Sequence, residues 1–108
     1  MEDVNPRAAY DEVAGVLAAI TPATLSKMFG MPSLKIGSKA FAGFTQDAMV
    51  FKLTGEAHAR ALALPGAHLF DPGNMGRLMR EWVVVPAQHA ALWEDLGRSA
   101  LAYVGGGQ

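Results

Sequence analysis

The stretch from Lys27 to Leu53, KMFGMPSLKIGSKAFAGFTQDAMVFKL, decides how this chain folds. After Lys-Met-Phe-Gly it reads as three short strands, Ser33–Ile36, Lys39–Phe44 and Ala48–Leu53. Gly37-Ser38 is the connection between the first two, because Gly at the first central position supplies the positive φ of a type II′ hairpin. In the third strand Met49, Phe51 and Leu53 alternate with Ala48, Val50 and Lys52, so the second set faces outward or lies under a thinner layer.

Outward from this centre, the N-terminal side predicts a helix from Pro6 to Ile20. Asn5 caps it, Pro6 suits its first position, and Val13, Val16, Leu17 and Ile20 recur at helical spacing. Thr21-Pro22 reads as the restart of a short helical turn that ends at Gly30 in a left-handed cap. On the C-terminal side, Thr54 caps a helix from Gly55 to Leu64, which Pro65-Gly66 stops. Ala67–Phe70 reads as a strand, Asp71–Gly76 as a loop dense in turn residues, and Leu78–Val85 as the most strand-prone run. In that run Trp82 and Val84 share one face and Val83 and Val85 the other. Pro86 opens a last helix to about Val104, with Trp93, Leu96, Ala100 and Val104 as its apolar stripe.

The order is helix, three strands, helix, two strands, helix. It predicts an α+β single domain over residues 1–104, a five-stranded, mostly antiparallel sheet packed against helices, with a flexible Gly-rich tail at 105–108. A chain of 108 residues suffices for one core without staples. It is half apolar and 18% charged, the balance of a globular protein. Nine Lys/Arg stand against ten Asp/Glu, which argues against bulk electrostatic capture of nucleic acid. There is no cysteine, hence no disulfide or thiolate chemistry. Met1-Glu2-Asp3-Val4 has no signal-peptide character and no apolar run reaches membrane-spanning length, so the expectation is a cytoplasmic protein with no membrane association.

The run KMFG, the GSKAFAG hairpin, the strand ending Phe51-Lys52-Leu53 and the EWVVVP of Glu81–Pro86 resemble the N-terminal domain of the TfoX/Sxy competence-regulator family. YjbR-like domains show a more distant resemblance. The resemblance spans Ala8 to Val104, and its glycines and aromatics mark turns and core rather than chemistry. Where family members commonly carry a second glycine after KMFG, this chain has Met31-Pro32. Full-length TfoX proteins add a C-terminal domain, and this sequence ends at Gln108, so a transcriptional role that depends on that domain is not carried over. The resemblance implies a stand-alone module that acts through protein contacts.

Candidate chemistry is sparse. His58, His68 and His89 lack metal-ligand spacing, and Gly37-Ser38-Lys39 lacks the remainder of a phosphate loop. Asp71 beside its turn lacks the oxygen-ligand spacing of a calcium loop. No serine sits in a Gly-x-Ser-x-Gly elbow. Glu81, between Arg80 and Trp82, reads as a structural partner of Arg77 or Arg80 ahead of an acid–base group. No catalytic residue, metal or cofactor is therefore assigned. The best binding candidates are Lys35, Lys39, Lys52, Arg77 and Arg80, which with Phe44 nearby would form a cationic patch if they met on one open face. Their plainer reading is protection of sheet edges. Met28, Phe29 and Met31 form a second candidate contact surface, though such spacing more often serves a core. The expectation is a non-catalytic module with a protein partner or homodimeric self-association; the alternative is a small nucleic-acid- or anion-binding protein that uses the basic residues.

Overall fold

The computed structural model describes residues 5–28, 30–71, 76 and 78–106. Its elements are α1 (Pro6–Ile20), β1 (Thr24–Met28), β2 (Met31–Ile36), β3 (Lys39–Thr45), β4 (Ala48–Lys52), α2 (Gly55–Leu62), β5 (His68–Phe70), β6 (Met79–Pro86), a 3₁₀ helix (Ala87–Leu92) and α3 (Trp93–Gly106). The six strands form one antiparallel sheet in the order β1-β2-β3-β4-β6-β5. The α+β class is as expected, but the sheet has six strands rather than five.

The additional strand is β1, where the sequence reads as a helical turn. Thr24–Met28 has no apolar repeat of its own, and its extended state is set by pairing with β2 from Thr24↔Lys35 to Met28↔Met31. Gly30 has the left-handed φ of +78° that its cap reading requires, but it turns the chain between two strands instead of ending a helix. Pro32 is tolerated in β2 because it lies beyond the last register pair with β3, Ser33↔Gly43.

The other boundaries follow local chemistry. The Asn5 side chain accepts from Ala8 N–H at 3.1 Å and Pro6 takes the first position of α1. Gly37 has φ +62°, the sign the β2–β3 hairpin needs at its first central residue. Thr54 flanks α2 without a side-chain capping bond. The final helix of the sequence reading divides into a 3₁₀ segment and α3, and within the 3₁₀ segment His89 has non-helical angles that kink the chain. α3 runs on to Gly106, and a Cβ on Gly105 would stand 3.1 Å from Ile36 Cγ1, so the glycine lets the helix lie close to β2.

Alternation sorts the sheet residues onto two faces. One face carries Leu34, Ala42, Met49, Phe51, Val83 and Val85, packed against Tyr10, Val13, Ala14 and Leu17 of α1, Ala61 of α2, and Trp93, Leu96, Ala100 and Val104 of α3. A bulge between Leu34 and Lys35 lets Phe41 join this core beside its neighbour Ala42. Buried Trp93 donates from its indole Nε1 to Val85 O at 3.2 Å, fixing α3 to β6. The other face holds a smaller cluster of Met31, Ala48, Val50, Phe70, Trp82 and Val84, with no helix residue in it among the described residues. Among the described residues no helix is long and apolar enough to cross a membrane.

Candidate functional site

The helix-free face carries a broad concavity. Register places Ser33, Gly43, Val50, Val84 and His68 in one row across β2, β3, β4, β6 and β5. Thr45, Ala48 and Pro86 form the next row, with Met31 beside it. Over these rows opens a cleft of about 870 Å³, walled by Met31, Ala48, Leu69, Phe70, Leu78, Val84 and Pro86, with Thr45, Gln46, Asp47, His68 and Asp71 as its polar members. Gly43 makes room for the floor. A Cβ there would fall 2.8 Å from Met31 Cε and 3.1 Å from Pro32 O.

One rim of the cleft is strained. Gln46 and Asp47 connect β3 to β4 with φ of +48° and +64°, where Asn-Gly is the low-energy choice for a two-residue hairpin. The turn holds an amide and a carboxylate at the mouth. Opposite, His68 donates from Nδ1 to Leu69 O at 3.0 Å. Asp71 Oδ2 accepts from Gly76 N–H at 2.8 Å. The described lining contains no Lys, Arg, Ser or Cys. The arrangement therefore offers hydrogen-bond acceptors at a rim and apolar walls below, suited to a segment that brings donors and an apolar side chain.

The five basic candidates are distributed differently. Lys35, Lys39, Lys52 and Arg80 all lie toward the end of the sheet that carries the β2–β3 hairpin, and none of them lines the cleft. Pairing puts Lys35 opposite Ala40 on the helix-free face and Lys39 opposite Ile36 on the helix side. Lys52 Nζ stands 3.8 Å from Glu81 Oε1. Arg80 is exposed, and its carbonyl accepts from His58 Nε2 at 2.7 Å. Arg77 lies outside the described residues. Phe44 is not beside these lysines: it sits toward the opposite end of β3, on the helix side, its ring 5.3 Å from that of Tyr10 and with the Arg7 guanidinium 5.9 Å from its centroid.

Glu81 is exposed, and among the described residues its partners are Lys52 and Tyr103 rather than Arg80. Tyr103 donates its hydroxyl to Glu81 Oε2 at 2.7 Å, a bond to the neutral phenol that raises the Tyr103 pKa above its ordinary value. Tyr10 is pushed up to about 12, chiefly because burial disfavours the phenolate, with Arg7 opposing the shift. The histidines lie apart: His89 Nε2 donates to Pro65 O at 2.9 Å, while His58 and His68 bond the carbonyls of Arg80 and Leu69. Among the described residues no three His, Cys, Asp or Glu side chains gather as a metal site would require. Of the Met28, Phe29 and Met31 surface, Met31 is buried in the helix-free cluster and Phe29 lies outside the described residues.

The cleft was not visible in the sequence, because its walls come from four separated segments and only strand register joins them. The one local signal was Gln46-Asp47, a turn with no glycine between two strand-like runs. Compared with protein-family models, with curated proteins and with solved structures, the chain finds no match in any of the three.

Proposed function

We propose that this chain is a non-catalytic interaction module, similar to a TfoX N-terminal domain, that works through protein contacts in a regulatory setting. The observation that carries the reading is the cleft on the helix-free face. Its apolar walls and acceptor-bearing rim suit an inserted protein segment. Binding in such a site gains from apolar burial and takes direction from a few polar groups.

A second reading, capture of nucleic acid or another anion, draws support from the common end of the sheet shared by Lys35, Lys39, Lys52 and Arg80. Against it stand the opposite faces of Lys35 and Lys39 and the Glu81 carboxylate beside Lys52. An ¹⁵N–¹H NMR titration with mixed-sequence duplex DNA, at low and then physiological salt, separates the two. The protein-contact reading predicts an unchanged spectrum. Shifts clustered at the four cations and weakening with salt would replace it with the nucleic-acid reading.

A further inference from the structure

The two edges of the sheet are guarded unequally. β5 ends one side with three residues and a register irregularity between Leu69 and Phe70, both devices that discourage strand addition. β1 ends the other side with five residues in unbroken register, no internal proline, and Lys27 as its one charge. Among the described residues β1 pairs with β2 alone, so its outer backbone groups have no strand partner. On the helix side of this edge stand Leu25, 65% exposed, and Ile20 at the end of α1, 56% exposed, the two most exposed large apolar side chains described.

We propose that β1 is a two-fold contact surface whose occupant is the β1 of a second copy of this chain, joining two sheets into one. The proposal rests on the reading of the protein as an interaction module and supplies one of its partners. The sequence of the strand is what selects a second copy. An antiparallel pairing centred on Leu25 sets Leu25 against Leu25 of the second copy, Thr24 against Ser26, and Ala23 against Lys27. No like charges oppose, the apolar side chains meet across the axis, and the hydroxyls pair on the other face. Pro22, which has no N–H to donate, ends the ladder just outside this run. The same symmetry repeats every contact, as a closed dimer requires.

The chain has no cysteine, which gives a direct test. Directly opposed residues of an antiparallel pair have Cα atoms about 4.5–5.5 Å apart, inside the range a disulfide spans. Leu25→Cys should therefore cross-link into a covalent dimer under mild oxidation, whereas Leu78→Cys, equally cysteine-free elsewhere and 52% exposed, should cross-link far more slowly. Sedimentation of the unmodified protein should give a dimer, and Leu25→Lys should reduce it to monomer while leaving the circular dichroism spectrum unchanged. A monomeric unmodified protein, a dimer indifferent to Leu25→Lys, or equal cross-linking of the two cysteine variants would each overturn the proposal. Cleft binding can be read on monomeric Leu25→Lys protein, so failure of the edge contact and failure of the interaction reading remain distinguishable.

Discussion

Replacing Gln46-Asp47 by Asn-Gly should make the domain more stable and its cleft weaker. Both residues occupy the left-handed half of backbone space, at φ +48° and +64°. That region costs an ordinary L-residue on the order of 1–2 kcal/mol, somewhat less for Asp. Glycine at Asp47 removes most of this cost and asparagine at Gln46 removes part, while the freer unfolded chain of the glycine variant returns about 0.5–1 kcal/mol. The net expectation is a gain of roughly 1 kcal/mol, which for a domain of this size raises Tm by about 4 °C. Thermal melts followed by circular dichroism read the gain, and a urea titration with an unchanged slope shows that the folded state is equally compact. The same variant deletes an amide and a carboxylate from the cleft rim, so partner binding should fall as stability rises. A Tm that stays put or drops would refute the reasoning, since it would mean that the native side chains offset the strain by contacts within the domain.

Other substitutions probe the packing. Ser33 is 1% exposed and its Oγ has no hydrogen-bond partner among the described residues, so Ser33→Ala should stabilise the fold by about 1 kcal/mol, relieving the cost of a buried unpaired hydroxyl; chemical denaturation checks the sign. Gly43→Ala should cost about 1–3 kcal/mol in the same assay, because its Cβ presses on the backbone of Pro32 as well as on Met31. Trp93→Phe should cost on the order of 2 kcal/mol, from the lost bond to Val85 O and the space vacated in a fully buried site. Tyr10 has a folded pKa of about 12 against an ordinary 10, so the folded state holds its proton more tightly. Its contribution to stability is complete below pH 10 and is lost as pH rises from 10 toward 12. Absorbance at 295 nm should show little tyrosinate at pH 10, whereas half-ionisation there would contradict the buried environment.

The parts of the fold legible in the sequence were those written in local chemistry. Asn5-Pro6 starts α1, Gly37 turns the β2–β3 hairpin, and the stripe of Trp93, Leu96, Ala100 and Val104 buries α3. β1 was misread because Thr24–Met28 carries no period of its own, and the restart signal of Thr21-Pro22 outweighed weak strand propensity. Its strand state depends on a partner, which a local pattern does not encode. The bulge at Phe41 was hidden for a related reason, since it shifts which side chains point inward without altering composition. At the site level the sequence offered the cations, whose grouping depended on register. Register then set Lys35 and Lys39 on opposite faces and brought Lys52 to a glutamate 29 positions away. The cleft joins residues 31, 45–48, 68–71, 78, 84 and 86, a set that only the sheet order brings together.

The central claim, that the helix-free cleft receives a protein segment, is tested most directly by site-specific photocross-linking in living cells. A photoreactive residue at Gln46, exposed on the rim, is compared with one at Glu12, exposed on α1. The account predicts a discrete protein adduct from position 46, absent from position 12 and lost when Leu78→Asp places a charge in the cleft wall. Equal adducts from both positions, or an adduct at 46 that persists in Leu78→Asp, would contradict it.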